Sequence, residues 1–142
     1  MEQFVIEGNV PLSGTVIPSG NKNAALPLLA ASLLTDQPLV LHNIPDIRDV
    51  QSMCHLLSDL GVDIAQVEPH TLRLQASHVR KTDLDADLCR DIRASILLAG
   101  PALARLGHVE LPPPGGDVIG RRRLDTHFLA FKKMGAEMEA ND

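Results

Sequence analysis

The sequence contains no tryptophan, no tyrosine and only three phenylalanines in 142 residues. It is also acidic, with a formal net charge of −5. Proteins that bind single-stranded nucleic acids need aromatic rings for base stacking, and proteins that bind phosphate backbones need a broad basic face. The shortage of both argues against a nucleic-acid-binding module.

Cysteine pairs and long apolar runs are missing as well. Cys54 and Cys89 lie far apart, and the six histidines show no ligand spacing, which argues against a disulfide framework and a metal site. No apolar run reaches the roughly 18 residues of a membrane-spanning helix, and the N-terminus does not resemble a secretory signal. No glycine pattern fits a nucleotide-binding loop. We therefore expect a cytoplasmic protein with no metal, no cofactor and no membrane association.

What the sequence does contain is an internal repeat. Residues 23–34 (NAALPLLAASLL) align with residues 93–104 (RASILLAGPALA), and each of these small-residue stretches predicts a helix. A strand-like apolar segment follows in each copy, at 38–45 and at 108–114. The chain therefore predicts two related units rather than one irregular domain.

Each copy continues with an amphipathic helix that ends at a glycine, Gly61 or Gly135, where a left-handed cap residue is expected. The apolar faces of these helices consist of Val50, Met53, Leu57 and Leu60 in the first copy and of Leu124, Phe128, Phe131 and Met134 in the second. Residues 62–77 alternate between apolar and polar and predict a β-hairpin that turns at 68–70. The predicted unit is helix, strand, helix, hairpin, and the second copy stops inside its hairpin.

Charged residues mark the starts of the two small-residue helices. A helix N-terminus carries a partial positive charge, so Lys22, beside Asn23, is unfavourable there unless an anion binds. Arg93 begins the second stretch at the position that Asn23 holds in the first, and its planar guanidinium suits phosphate or carboxylate. Together with the basic run 121–123, these residues indicate a small anionic ligand. A solvated basic patch is the alternative explanation.

The connector of the second copy is the longer one, and it contains PPPGGD at residues 112–117. A carboxyl group of ordinary pKa is ionised at neutral pH. A general-acid role for Asp117 therefore requires burial or a neighbouring anion. Gly-Gly-Asp is also a common turn sequence, so the residues alone leave both interpretations open.

Taken together, these stretches resemble the enolpyruvyl transferase family, in its branch that uses UDP-N-acetylglucosamine. The matching segments are SGNKNAALPLLAASLL, NIPDIRDV, LLSDLGVDI, IRASILLAGPALARLG, GGDVIGRRRLDTH and KKMGAE. They cover nearly the whole chain, which resembles the first third of such an enzyme. The resemblance implies an inside-out α/β repeat fold with helices inside and sheets outside. Residues 1–18 would add strands to a second lobe, 19–88 would form the first unit, and 89–142 would form an incomplete second unit.

The resemblance also implies an activity: transfer of enolpyruvyl from phosphoenolpyruvate to the 3-hydroxyl of UDP-N-acetylglucosamine, the first committed step of peptidoglycan synthesis. Lys22 and Asp117 would be catalytic. The implied substrate-binding residues are Lys22, Asn23, Arg93, Arg122, Asp125 and His127. Two features depart from the family pattern, namely Arg123 in place of a usual proline and an apparent two-residue insertion at 112–114. Asp117 replaces the usual cysteine that fosfomycin alkylates, so we expect resistance to that drug.

Two other interpretations remain open. The first is a 5-enolpyruvylshikimate-3-phosphate synthase-like enzyme, which shares the fold. The second is a non-catalytic module that binds phosphorylated ligands, since the family's active site lies between two lobes. An enzyme would need a second lobe as its partner, whereas uncovered apolar faces of the chain alone would favour a homo-oligomer.

Overall fold

The computed structural model describes residues 3–116, 120 and 123–139. Helices and a small antiparallel sheet alternate along this part of the chain. The α-helices are α1 (Lys22–Ala31), α2 (Arg48–Asp59), α3 (Ala86–Asp91), α4 (Ala99–Leu106) and α5 (Asp125–Lys133), the strands are β1 (Leu39–Leu41), β2 (Asp63–Glu68) and β3 (Thr71–Gln75), and 3-10 segments span Ser32–Leu34 and Arg93–Leu98. This is a mixed α/β structure.

The sheet has the order β1-β3-β2, with both pairs antiparallel. Arg73 at the centre of β3 pairs with Val40 on one side and Ala65 on the other. The hairpin between β2 and β3 turns at residues 69–70, where His70 adopts a positive φ of 59°. The hairpin prediction for residues 62–77 is therefore confirmed.

The core lies where α1 packs against α2. All four apolar residues predicted for the face of α2 are buried, with exposures of 4% or less (Val50, Met53, Leu57 and Leu60). Burying a side chain of this size stabilises the fold by about 1.5–3 kcal/mol. The next residue, Gly61, has a φ of 98°, which confirms the predicted left-handed cap.

One cationic side chain ties the two halves of the described chain together. From α4, the guanidinium of Arg105 donates to the carbonyl oxygen of Leu33 at 2.9 Å and to that of Ala76. The first acceptor lies within the first 3-10 segment, and the second directly follows β3. A single side chain therefore connects α4 both to the first 3-10 segment and to the end of β3.

The second copy follows the predicted pattern less well. Residues 93–98 form a 3-10 segment before α4 begins, and the short α3 was not predicted. Within the described chain, residues 108–114 form one isolated bridge, between Glu110 and Asp83, instead of a strand. The prolines at 112–114 lack the N–H groups that a longer ladder needs.

Helix α5 is amphipathic in sequence but packs incompletely. Its predicted apolar residues Leu124, Phe128 and Phe131 are only half-buried, and Met134 is 75% exposed. None of the described side chains of α5 is buried. Gly135 has a φ of 96°, so its predicted cap geometry is confirmed although the packing of the helix is not.

The N-terminal segment 3–18 contains no helix or strand in the part of the chain that the structure describes. Its apolar side chains are almost fully exposed, for example Phe4 at 91% and Leu12 at 96%. Elsewhere, no helix built from described residues is both long and apolar enough to cross a lipid bilayer.

Candidate functional site

Three of the residues singled out in the sequence meet at one cleft. Lys22 and Asn23 at the start of α1 and Arg93 at the start of the second 3-10 segment line a cavity of about 380 Å³. The remaining lining residues are Leu26, Pro27, Asp49, Asp91, Ile92, Ala94, Ile96, Leu97 and Gly116. The lining therefore combines buried apolar side chains with more exposed charged ones.

Asn21 caps the start of α1. Its side-chain oxygen accepts from the backbone N–H groups of Asn23 and Ala24, at 2.7 and 3.2 Å. These are two of the N–H groups that a helix start otherwise leaves without partners. These two N–H groups are therefore not free to bind an anion, which leaves the cationic side chains Lys22 and Arg93 as the groups of the cleft that suit one.

Pro27 also lines the cleft, inside α1. A proline has no N–H and cannot donate to the carbonyl four residues earlier, which belongs to Asn23. The helix therefore lacks one backbone hydrogen bond at the cleft.

Lys22 is paired within the chain. Its Nζ donates to Oδ2 of Asp49 at 2.8 Å, and the two side chains are 49% and 39% exposed. Asp49 lies in the first turn of α2, where a carboxylate interacts favourably with the helix dipole. The pair thus joins the starts of the two packed helices.

The cleft also contains Arg93, which is half-buried, and Asp91. Asp91 lies 3.9 Å from the guanidinium of Arg48 in an exposed ion pair. The described lining residues thus comprise two cations, Lys22 and Arg93, and two carboxylates. Their formal charges cancel, so the cleft is less positive than the basic residues alone indicate.

The glycine-rich loop begins at this cleft. The N–H of Gly115 donates to the carbonyl of Cys89 at 2.9 Å, and that of Gly116 donates to the carbonyl of Arg90 at 3.0 Å. Both acceptors are near the end of α3, so the loop satisfies carbonyls that the helix itself cannot pair. The predicted site residues Asp117 and Arg122 lie outside the described residues.

Two further predicted site residues, Asp125 and His127, stand at the start of α5 and are exposed. Asp125 accepts from Nε of Arg123 at 2.6 Å. This hydrogen bond raises the pKa of the Arg123 guanidinium above its ordinary value. Neither Asp125 nor His127 belongs to the lining of the cleft, so the structure does not bring them to Lys22.

A second cavity of about 490 Å³ lies between α2 and the hairpin, bordered by Cys54, His55 and His70 among others. Burial raises the pKa of the Cys54 thiol to about 11. Such a thiol is a poor nucleophile at neutral pH. Among the residues that the structure describes, no group of three histidine, cysteine or acidic side chains could hold a metal ion.

Sequence comparison assigns the chain to a protein family. The family profile described as EPSP synthase (3-phosphoshikimate 1-carboxyvinyltransferase) matches residues 6–142. The chain belongs to this family, and the predicted family resemblance is confirmed.

Two curated relatives of the same name match nearly the whole chain. The chain is 54% identical over 140 residues to UDP-N-acetylglucosamine 1-carboxyvinyltransferase of Bradyrhizobium diazoefficiens, covering 99% of this chain and 32% of the relative. It is 50% identical over 141 residues to the protein of that name from Treponema denticola, covering 99% and 33%. The chain spans about a third of the length of these curated relatives.

A solved structure supports the fold. The enolpyruvyl transferase NikO from Streptomyces tendae superimposes with a TM-score of 0.60 at 27% identity, covering 66% of this chain and 22% of that one. The mixed α/β arrangement is therefore that of an enolpyruvyl transferase. The full inside-out repeat is not visible in the described residues, because the second unit lacks its strands.

Sequence patterns did not single out three residues of the site: Asn21, Asp49 and Asp91. Asn21 had a recognisable signal, since asparagine before a helix start is a favoured cap. Asp49 and Asp91 had none, because their proximity to Lys22 and Arg93 results from the packing of separate helices.

Proposed function

We propose that this chain contributes part of an active site that transfers enolpyruvyl from phosphoenolpyruvate to the 3-hydroxyl of UDP-N-acetylglucosamine and releases phosphate. The observation that supports this most is the meeting of Lys22, Asn23 and Arg93 at one cleft, next to the loop that begins at Gly116. The identity of 54% to a protein named for this reaction supports the choice of substrates.

The two cations of the cleft suit the two anionic groups of phosphoenolpyruvate. Arg93 offers a planar, forked donor set for a phosphate or carboxylate. Lys22 adds a compact charge with three N–H donors. We propose that both bind phosphoenolpyruvate, with a catalytic role for Lys22, and that the Asn23 carboxamide hydrogen-bonds the sugar nucleotide.

Asp117 directly follows Gly116 in the sequence. We propose that it is the general acid that protonates the methylene carbon of phosphoenolpyruvate. The reaction needs a proton donor at that carbon, and enclosure by bound substrate would favour the protonated carboxyl. Arg122 would bind phosphate oxygens, while Asp125 and His127 would contact the uridine part of the sugar nucleotide.

The rest of the enzyme would complete this site. In the proposed architecture, residues 1–18 add strands to a second lobe, 19–88 form one repeat unit and 89–142 begin another, with helices inside and sheets outside. The exposed apolar side chains of segment 3–18 support this arrangement, because they need a covering partner. We propose that the protein acts in the cytoplasm.

Ligand titration tests the proposal. In heteronuclear NMR spectra of this chain, UDP-N-acetylglucosamine and phosphoenolpyruvate should shift resonances of the cleft residues, and Lys22→Met should weaken the binding of phosphoenolpyruvate. Lys132→Met, at the exposed last turn of α5, is the matched loss of a lysine charge and should leave it unchanged. Shifts by shikimate 3-phosphate with no response to the sugar nucleotide would favour the sister enzyme instead.

Phosphate release distinguishes an enzyme from a non-catalytic binding module. We expect none from this chain alone and turnover when the sequence of a complete relative supplies the remaining two thirds. Binding without turnover in such a complete protein would favour the binding module.

Fosfomycin should form no covalent adduct with the wild-type protein by mass spectrometry, whereas it should form one with Asp117→Cys. Stoichiometric labelling of Asp117 itself would refute the expected resistance.

A further inference from the structure

Asp49 is one of two carboxylates of the cleft, with Asp91, that the proposed reaction leaves without a role. It reaches the cleft from α2, while the proposed substrate-binding residues come from α1 and from the segment that begins at Arg93. Its carboxylate lies 2.8 Å from the Nζ of Lys22.

The pair contributes little to stability. Both side chains are more than a third exposed, and exposed ion pairs typically contribute between 0 and about 1 kcal/mol because water and salt screen them. The contact joins residues 27 positions apart but stabilises the fold little. Its effect on the position of the Lys22 ammonium explains it better.

The two partners differ in rigidity. Asp49 has a short side chain on the first turn of α2, and neighbouring Val50 and Met53 are buried in the core. Lys22 has a long, flexible side chain on an exposed residue. A lysine loses considerable rotamer freedom when its ammonium is held in one place. Asp49 therefore imposes this ordering before any ligand arrives.

The geometry also leaves the ammonium able to bind a ligand. An ammonium group has three N–H donors, and Asp49 Oδ2 accepts one of them. The other two can donate to phosphate or carboxylate oxygens in the cleft. The ammonium can therefore bind its partner and an anion at the same time.

We propose that Asp49 is a positioning residue, which holds the Lys22 ammonium at the cleft for the phosphorylated substrate. The proposal rests on the proposed function of Lys22. A positioning role and simple charge repulsion predict opposite changes in anion affinity when the Asp49 carboxylate is removed. Removing a carboxylate beside an anion site should strengthen anion binding, whereas removing a positioning carboxylate should weaken it.

The test compares Asp49→Asn with a control of equal charge, Asp46→Asn. Asp46 is exposed, precedes the same helix, bonds Gln51 and does not line the cleft. We expect Asp49→Asn to bind phosphoenolpyruvate roughly 3- to 10-fold more weakly by calorimetry, reflecting part of the rotamer entropy of lysine. Asp46→Asn should bind like the wild type. Asp49→Glu, which keeps the carboxylate, should lie between wild type and Asp49→Asn.

A second measurement does not depend on the substrate. The NMR order parameter of the Lys22 side chain, measured without ligand, should fall in Asp49→Asn and stay unchanged in Asp46→Asn. If Asp49→Asn binds phosphoenolpyruvate as tightly as wild type or more tightly, or if Lys22 stays ordered, the positioning role is refuted and the proposed function is unaffected. If wild type and Asp46→Asn both fail to bind phosphoenolpyruvate, the proposed function fails, and the substrate role of Asp49 fails with it.

Discussion

Replacing Gly115 by alanine should destabilise the protein through one close backbone contact. A Cβ atom added at Gly115 would lie 1.8 Å from the carbonyl oxygen of Arg90 and 2.6 Å from its Cα. Real contacts of this type are rarely closer than about 3 Å, because atoms at shorter distances overlap. The loop must therefore move away from the end of α3 by more than an ångström.

The magnitude follows from what that movement breaks. The hydrogen bonds from Gly115 to Cys89 and from Gly116 to Arg90 are 2.9 and 3.0 Å long, and each contributes about 1 kcal/mol net. Forcing atoms into a packed site costs a further 1–3 kcal/mol or so. We expect the free energy of unfolding to fall by about 3–5 kcal/mol.

Urea unfolding followed by circular dichroism measures this change, since the chain has no tryptophan or tyrosine for fluorescence. Gly100→Ala is the matched control. Its added Cβ would lie 3.6 Å from the Phe131 ring, an ordinary contact, and α4 gains a better helix former. Gly100→Ala should therefore be neutral or stabilising. A loss below about 0.5 kcal/mol for Gly115→Ala would show that the loop does not pack on α3.

Three further changes test other parts of the structure. Ser32 is 2% exposed, and its Oγ has no hydrogen-bond partner among the described residues. Because Ser32→Ala removes this unpaired buried hydroxyl, it should raise the free energy of unfolding by about 1 kcal/mol. A destabilised variant would show that the hydroxyl does have a partner. Arg105→Met removes two hydrogen bonds to carbonyls and should lower the free energy of unfolding by about 2–4 kcal/mol. The control is Arg80→Met. Arg80 is exposed and makes no ion pair or hydrogen bond within the described chain, so this change should alter the free energy of unfolding by less than about 0.5 kcal/mol. Equal effects of the two arginine changes would contradict this. Because the pKa of Cys54 is raised to about 11, its alkylation should be slow at pH 8 and accelerate toward pH 11. The unfolded chain loses the thiol proton first, so stability should fall as pH rises through that window. Rapid labelling of native protein at pH 8 would refute the burial of this thiol.

The first unit could be predicted from its pattern because its elements depend on local periodicity. The face of α2 repeats at helical spacing, the residues 62–77 alternate, and Gly61 marks the helix end. Each of these signals lies within one element, and the structure confirms all three. In the second copy, the predicted strand at 108–114 failed because its prolines override an apolar pattern that otherwise favours a strand.

The site was predictable only in part, for a similar reason. Lys22 stands out because it directly precedes the first aligned stretch, and Arg93 because it begins the second. Asp49 pairs with Lys22 across 27 residues, and no local pattern reports such a contact. The balance of two cations and two carboxylates in the cleft could therefore not be predicted from the sequence.

Close backbone contacts, rather than ion pairs, fix the shape of the cleft. A Cβ atom added at Gly20 would lie 1.8 Å from the carbonyl oxygen of Asn43, and one at Gly115 would lie equally close to that of Arg90. Gly20 comes two residues before Lys22, and Gly115 comes directly before the cleft residue Gly116. Backbone contacts have no rotamers to exchange, so the Cα positions at the rim are set independently of the exposed charges. Substitutions of the charged side chains should therefore alter ligand affinity without altering the fold, whereas alanine at either glycine should alter both.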